Sequence, residues 1–269
     1  MSVDLYNHVY SDFGSDAESA VRRATYDEDI GQSSWMTAEA WLEYADLLQV
    51  GAETTVLEVG SGSGGPAVYL AKRRGCRVTG VDLNEHGIAN GTRLAVDGGL
   101  ADRATFQRVD ASQPLPFPAA SFDAVVSNDA MCHIANRIDV LKDWYRVLRP
   151  GGRMLFTDAM VVSGLVSHEE IAARSSIGFY MYLPCGENER LIAKAGFELL
   201  EARDVTGEAE VIARRWHDAR LKHRAALVQR EGTENFEGLQ RFLSCVHLLS
   251  AERRLSRYCY LARRAGVTG

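Results

Sequence analysis

Three acidic side chains follow three successive apolar runs of this sequence, and a glycine-rich stretch accompanies the first of them. Glu58 lies in TTVLEV and is followed by GSGSGG (60–65), Asp82 lies in RVTGVDL, and Asp110 ends ATFQRVD. A glycine loop before a helix offers backbone N–H groups that favour an anion such as a pyrophosphate. A carboxylate in the same loop opposes an anion. These residue types therefore favour a cationic ligand.

S-adenosylmethionine fits this pattern, because it carries a sulfonium and an α-ammonium group and lacks a phosphate. We expect Glu58 at the methionine end of the cofactor, Asp82 at the ribose hydroxyls and Asp110 at the adenine amino group. A nicotinamide-dependent oxidoreductase is the main alternative, since it also has a glycine loop and an acid at the end of the second strand. Glu58 and Asp110 disfavour it.

Short apolar runs alternate with helical stretches after residue 54, which predicts a doubly wound α/β domain with a mostly parallel sheet. Two helical patterns precede them, AESAVRRATY and TAEAWLEYADLLQ, with Thr37 as the N-cap of the second. Residues 208–252 are mainly helical, and RLSRYCYLARR predicts a last strand. We therefore predict an N-terminal helical cover (1–50), a catalytic domain (51–269), and helical cap segments at about 162–195 and 208–252.

Composition limits the classes of partner. The chain has 269 residues, 46% of them hydrophobic, and a formal net charge of −6 with acids and bases interspersed, which disfavours nucleic acid. The start, MSVDLYNHVYSDFG, does not resemble a signal peptide, and no apolar run is long enough for a membrane span. Five scattered cysteines favour reduced thiols over a metal site. We expect a soluble, cytoplasmic protein with a small-molecule substrate; a homodimer stays an open alternative.

Four segments, taken in order, resemble the motifs of class I S-adenosylmethionine-dependent methyltransferases. They are VLEVGSGSGG, VTGVDLN, VDASQPLPFPAASFDAVVSNDAMCHI and WYRVLRPGGRMLFTD. The resemblance implies a Rossmann-like, seven-stranded sheet whose last strand is antiparallel. It also implies cofactor contacts at Glu58, Gly60, Gly62, Asp82, Leu83, Asp110 and Ala111.

A narrower resemblance concerns DIGQSSWMT and SNDAMCHI, which are similar to segments of the branch containing sarcosine/dimethylglycine and phosphoethanolamine N-methyltransferases. It implies that the N-terminal segment closes over the cofactor. It also implies that the histidine of a D-x-x-x-H element, here Asp129 to His133, lies beside the methyl-accepting atom. We therefore predict these two residues as catalytic. The tyrosine that pairs with this histidine in the phosphoethanolamine enzymes has no clear counterpart in the sequence.

Further candidates follow from position along the chain. Four residues next to the motifs are expected to line the cofactor cavity, although Trp35 and Met131 could equally be core residues: Gln32, Trp35, Asn128 and Met131. The cap segments combine aromatic and cationic side chains that could form an acceptor pocket or simply pack: Arg174, Phe179, Tyr180, Tyr182, Arg215 and Trp216.

The predicted function is methyl transfer to a small metabolite of secondary metabolism. N-methylation is favoured over O- or C-methylation. A non-catalytic protein that binds the cofactor is the remaining alternative. No metal is required for this chemistry.

Overall fold

The computed structural model describes residues 3–266. Residues 1–2 of the predicted cover and 267–269 of the predicted domain lie outside the described part. The strands are β1 (Thr55–Val59), β2 (Arg77–Asp82), β3 (Ala104–Arg108), β4 (Phe122–Ser127), β5 (Leu148–Val162), β6 (Leu183–Pro184), β7 (Phe197–Asp204) and β8 (Leu255–Arg264). The helices are α1 (Tyr6–Ser11), α2 (Asp16–Thr25), α3 (Ala38–Leu47), α4 (Gly65–Arg74), α5 (Glu85–Asp97), α6 (Arg137–Val147), α7 (His168–Arg174), α8 (Glu187–Lys194), α9 (Thr206–Lys222), α10 (Arg224–Glu231) and α11 (Thr233–Ala251). A single 3₁₀ turn covers Met131–His133.

The sheet has the order β3-β2-β1-β4-β5-β8-β7, and the two-residue β6 pairs with the end of β5. β8 runs antiparallel to both of its neighbours, while the pairs among β1 to β5 are parallel. This confirms the predicted doubly wound sheet with an antiparallel last strand. Strand order reverses between β1 and β4, and the carboxyl ends of strands at such a point form a ligand crevice.

The two faces of the sheet are covered by different helices. Along β1, Val56 packs in one buried cluster with Trp41 of α3, whereas Leu57 packs in another with Trp144 of α6. This alternation follows from the two-residue period of a strand. Each such buried side chain stabilises the fold by roughly 1.5 to 3 kcal/mol, so the sheet is a rigid platform for its loops.

Helix ends follow the sequence signals. The Thr37 side chain accepts a hydrogen bond from the backbone N–H of Ala40, as expected of an N-cap. Pro66 lies in the first turn of α4, and Gly75 ends that helix in a left-handed conformation.

The N-terminal and cap segments each divide between two locations. Helices α3 and α8 pack onto the sheet, α3 beside α4 and α8 beside α6 and β7. In contrast, α2 packs against α9, which packs against α11, and these elements share a buried cluster that includes Val21, Trp216 and Phe242. Among the helices of residues 3–266, none offers the apolar length that crossing a membrane takes.

Candidate active site

A cavity of about 800 Å³ lies where the carboxyl ends of the first four strands meet the N-terminal segment and the cap helices. It brings together fifteen of the residues predicted from sequence. They are Gln32, Trp35, Glu58, Gly60, Gly62, Asp82, Leu83, Asp110, Ala111, Asn128, Asp129, His133, Arg174, Tyr180 and Trp216.

The glycine loop is shaped by close contacts within the chain. Gly60 has a φ of 77°, and a Cβ at this position would lie 2.3 Å from the Cβ of Ala130. At Gly65, a Cβ would lie 2.0 Å from the carbonyl oxygen of Ile30 in the N-terminal segment. Side chains are therefore excluded at both positions by the fold itself, so the acids around the loop carry the argument for a ligand.

Glu58, the last residue but one of β1, has one carboxyl oxygen unsatisfied. The residue is 3% exposed, and its Oε2 atom is buried without a hydrogen-bond partner among residues 3–266. Burial, together with the nearby Asp82 carboxylate, raises the pKa of Glu58 to about 8. A buried acceptor that lacks a donor is costly unless a ligand supplies one. The α-ammonium group of S-adenosylmethionine is a cationic donor that fits this position.

Asp82 and Asp110 present carboxylates at the ends of the next two strands. The two oxygens of Asp82 accept hydrogen bonds from the backbone N–H groups of Gly62 and Asn84, each at 2.8 Å. Burial raises the pKa of Asp82, and these hydrogen bonds oppose the shift. Each oxygen of the Asp82 carboxylate keeps a further lone pair, which suits the hydroxyl groups of a ribose. The apolar Leu83 side chain beside them is 60% exposed and offers a surface to a flat base.

His133 is held in one tautomer. Its Nδ1 lies 2.9 Å from the carbonyl oxygen of Phe179, which can only accept, so Nδ1 carries the proton. Its Nε2 lies 2.9 Å from the Tyr6 hydroxyl and therefore accepts a hydrogen bond from it. Burial lowers the pKa of the imidazole. The ring is thus a neutral base with its acceptor nitrogen directed at Tyr6.

Tyr6 corrects the expectation that the histidine has no tyrosine partner. This residue lies in α1, and Tyr10, one turn later, also lines the cavity. Two tyrosines four residues apart lie on one face of a helix. That spacing is the sequence signal that could have pointed to Tyr6 and Tyr10 as residues of the cavity. The helix has only six residues, too few for a hydrophobic period to reveal it.

Asp129 binds several groups of the protein. Its Oδ1 accepts from Nε of Arg257 at 2.8 Å and from the Thr157 hydroxyl at 2.9 Å, and its Oδ2 accepts from the backbone N–H of Trp35 at 3.1 Å. Its φ is 55°, an uncommon conformation for a residue with a side chain. The sequence did not identify Arg257, which lies in the predicted last strand. Asp129 therefore anchors the N-terminal segment to β8 through its carboxylate.

Four predicted residues lie outside the cavity lining. Met131 is fully buried in the core cluster below the sheet edge, so it packs instead of facing a ligand. Phe179 contributes its carbonyl to His133, while its ring is more than half exposed. The Tyr182 hydroxyl bonds to Ser175, and the Arg215 guanidinium forms a surface ion pair with a carboxylate in the loop that follows α2.

Comparison with known proteins gives matches along the same region. A family model described as a methyltransferase domain matches residues 57–156. The chain is 29% identical over 205 residues to the 27-O-demethylrifamycin SV methyltransferase of Amycolatopsis mediterranei, covering 72% of this chain and 75% of that protein. It is also 29% identical to the glycine/sarcosine/dimethylglycine N-methyltransferase of Actinopolyspora halophila, covering 76% of this chain but only 35% of that longer protein.

A solved structure shows the same fold. Phosphoethanolamine N-methyltransferase 2 of Haemonchus contortus in complex with S-adenosyl-L-methionine superposes with a TM-score of 0.77 at 21% identity, over 95% of this chain and 60% of that one. The domain match and the relatives agree with the acids that fit a cationic nucleoside. Residues 57–156 therefore form a methyltransferase domain, and the chain as a whole is similar to S-adenosylmethionine-dependent methyltransferases.

Proposed function

We propose that this enzyme transfers the methyl group of S-adenosylmethionine to a nitrogen atom of a small-molecule acceptor that binds between His133 and the cap. The observation that carries this proposal is the hydrogen bond from Tyr6 to the neutral His133, at the wall of the same cavity as Glu58 and Asp82. A fixed base beside a cofactor site suits an acceptor that must lose a proton.

In this reaction the protein itself takes little part in making or breaking covalent bonds. When bound, S-adenosylmethionine supplies a methyl carbon that its sulfonium has already activated for in-line displacement. The chain's own residues must then align the acceptor, exclude water and remove a proton. The Glu58, Asp82 and Asp110 carboxylates would hold the cofactor, and the cap would enclose the acceptor.

The proton path follows from the hydrogen bonds around His133. Because the Tyr6 hydroxyl already donates to Nε2, an acceptor proton would move to the Tyr6 oxygen while Tyr6 passes its own proton to His133. Burial holds the pKa of Tyr6 well above its usual range, so the phenol does not ionise by itself. The Phe179 carbonyl would then stabilise the imidazolium that forms.

Nitrogen is favoured by the aromatic lining of the cavity. Trp35, Tyr180, Trp216 and Phe242 all border it, and aromatic faces attract the ammonium group of an amine substrate or its methylated product. Oxygen is the second candidate, because the same relay could deprotonate a hydroxyl group. The names of the relatives include N-, O- and C-methyltransferases, so they do not choose between the three. Carbon methylation has no such support in the cavity.

Matched acceptor pairs test the choice of atom. The enzyme is incubated with isotope-labelled S-adenosylmethionine and with amine and alcohol compounds of the same skeleton, namely benzylamine with benzyl alcohol and anthranilate with salicylate. Label is expected in the amines. Label in the alcohols alone would contradict nitrogen and favour the second candidate. A protein that binds S-adenosylhomocysteine but labels no member of either pair would contradict this acceptor class.

A further inference from the structure

Arg174 differs from the other buried arginines of this protein. Five arginines within residues 3–266 are less than a tenth exposed, namely Arg22, Arg137, Arg174, Arg220 and Arg257. Four of them form an ion pair with an aspartate or glutamate. Arg174 is 1% exposed, has no such pair within the described part of the chain, and leaves its Nη1 atom without a hydrogen-bond partner there.

The surroundings of Arg174 are neutral. Its guanidinium lies 4.5 Å from the centre of the Tyr180 ring and 4.9 Å from that of Phe242. The thiols of Cys132 and Cys245 are also nearby: burial raises the pKa of each thiol, and the charge of Arg174 opposes this rise. Aromatic faces offset part of the cost of burying a cation, but much less than a hydrogen-bonded anion does. The charge is therefore left without its counter-ion.

Arg174 borders the cavity close to the proposed methyl-accepting position. The Tyr180 ring that faces its guanidinium also lies 4.4 Å, centre to centre, from the His133 ring. A ligand near His133 is thus within reach of the unsatisfied guanidinium nitrogen. The cavity lining also includes the apolar side chains of Trp216 and Ile177.

We propose that Arg174 binds an anionic oxygen group of the methyl acceptor, so that the acceptor is an acid with an apolar body. This inference rests on the proposed function, because it takes the cavity beside His133 as the acceptor site. A carboxylate, a phosphate and an ionised phenol share the chemistry that a guanidinium recognises. The anion would give Arg174 an ion pair, which each of the other buried arginines already forms with a carboxylate of the protein.

Benzoate and benzamide test the proposal, because they share shape but differ in charge. Binding of each is measured by calorimetry to protein saturated with S-adenosylhomocysteine. We expect benzoate to bind at least roughly tenfold more tightly than benzamide, as a charge-assisted hydrogen bond implies. Phenyl phosphate and phenol form a second pair, which distinguishes a phosphate site from a carboxylate site.

Three variants separate the role of Arg174 from general effects. Arg174→Met should remove the preference for the anion without changing affinity for S-adenosylhomocysteine, and Arg174→Lys should keep part of it. Arg215→Met is the matched control, because Arg215 also lies in the cap but pairs with Asp27 at the surface. Arg215→Met should keep the full preference for benzoate over benzamide.

Two results would overturn the proposal. One is wild-type protein that takes neither anion in preference to its neutral counterpart, and the other is a preference that survives in Arg174→Met. If Arg174→Met does not fold, the wild-type comparison and Arg174→Lys still decide. Failure of the proposed function would look different, since wild-type protein would then label no amine while still binding benzoate more tightly than benzamide.

Discussion

At the scale of the residue, the pair Tyr6 and His133 makes a kinetic prediction. His133→Ala should lower kcat by roughly 10²-fold, as loss of a general base does, with little change in affinity for S-adenosylmethionine. Tyr6→Phe should also lower kcat, because it interrupts the path to Nε2. Burial lowers the pKa of His133, so the wild-type kcat should fall only at a pH below ~6.5. Equal losses in cofactor affinity and turnover would make the pair structural.

Glu58 makes a prediction about stability. Its folded pKa is raised from 4.5 to about 8, so between these pH values the folded protein retains a proton that the unfolded chain has released. Stability of the ligand-free protein should therefore fall as pH rises through this window. The side chain of Glu58→Gln stays neutral at every pH. Above pH ~8 the free energy of unfolding of this variant should exceed that of the wild type by roughly 2 to 5 kcal/mol, and near pH ~4.5 the two should differ little.

Urea unfolding at the two pH values measures this difference. Glu53→Gln, at an exposed position, is the control and should follow the wild type at both. The Glu58→Gln variant should also bind S-adenosylmethionine more weakly, because it lacks the negative charge. A pH dependence unaltered by Glu58→Gln would contradict the buried, unsatisfied carboxyl group.

Sequence could identify some site residues because each follows a recognisable element. Glu58 and Asp82 lie at the carboxyl ends of apolar strands, and such ends of neighbouring parallel strands meet at one edge. Tyr6 and Arg257 could not be assigned in this way. Their partners His133 and Asp129 lie 127 and 128 positions away along the chain. Only the packed structure shows which distant polar groups meet.

At the scale of the element, Asp129 joins the loop after β4 to β8 and to the segment before α3. The backbone N–H of Trp35 donates to its Oδ2, and Arg257 donates to its Oδ1. Asp129→Asn removes the charge that pairs with Arg257, and it should speed amide hydrogen exchange in residues 30–36. Affinity for S-adenosylmethionine should fall with it, because Gln32 and Trp35 border the cavity.

A matched carboxylate supplies the control for this variant. Asp123 likewise accepts from a backbone N–H, that of Thr55, and pairs with Arg149, but it lies at the opposite end of the sheet. Asp123→Asn should leave exchange in residues 30–36 unchanged. If both variants alter this segment alike, the effect is general loosening of the sheet and the anchor has no special role.

Elements differed in how well the sequence predicted them. The stretch RIDVLKDWYRVLRPGG (137–152) reads as helical in the sequence, whereas the helix ends at Val147 and β5 starts at Leu148. Pro150 disfavours helical conformation in the residue before it, which explains the earlier end. Helix α1 and strand β6, with six and two residues, are too short to show a period.

At the scale of the whole molecule, the sequence predicted both a cover and a cap but not their contact. Amphipathic periodicity shows that a helix has an apolar face and does not show which partner buries it. In the structure, α2 packs on α9, and helices of the N-terminal and cap segments share one buried cluster. Helices α2, α9 and α11 therefore form one packed unit, whereas α3 and α8 belong to the unit built on the sheet.

This division makes the last prediction. If the cofactor binds tightly only when the cover is packed on the cap, weakening that packing lowers affinity by reducing the closed population. Val21→Ala, in α2 and away from the cavity lining, should lower affinity for S-adenosylhomocysteine several-fold. Val140 is also buried, but it lies in α6 and packs in a cluster with the sheet. Val140→Ala should lower the free energy of unfolding by a similar amount, roughly 1 to 4 kcal/mol, without altering affinity for S-adenosylhomocysteine. Calorimetry and urea unfolding measure the two quantities separately. Equal changes in affinity for the two variants would show that global stability, and not the packing of cover on cap, controls cofactor binding.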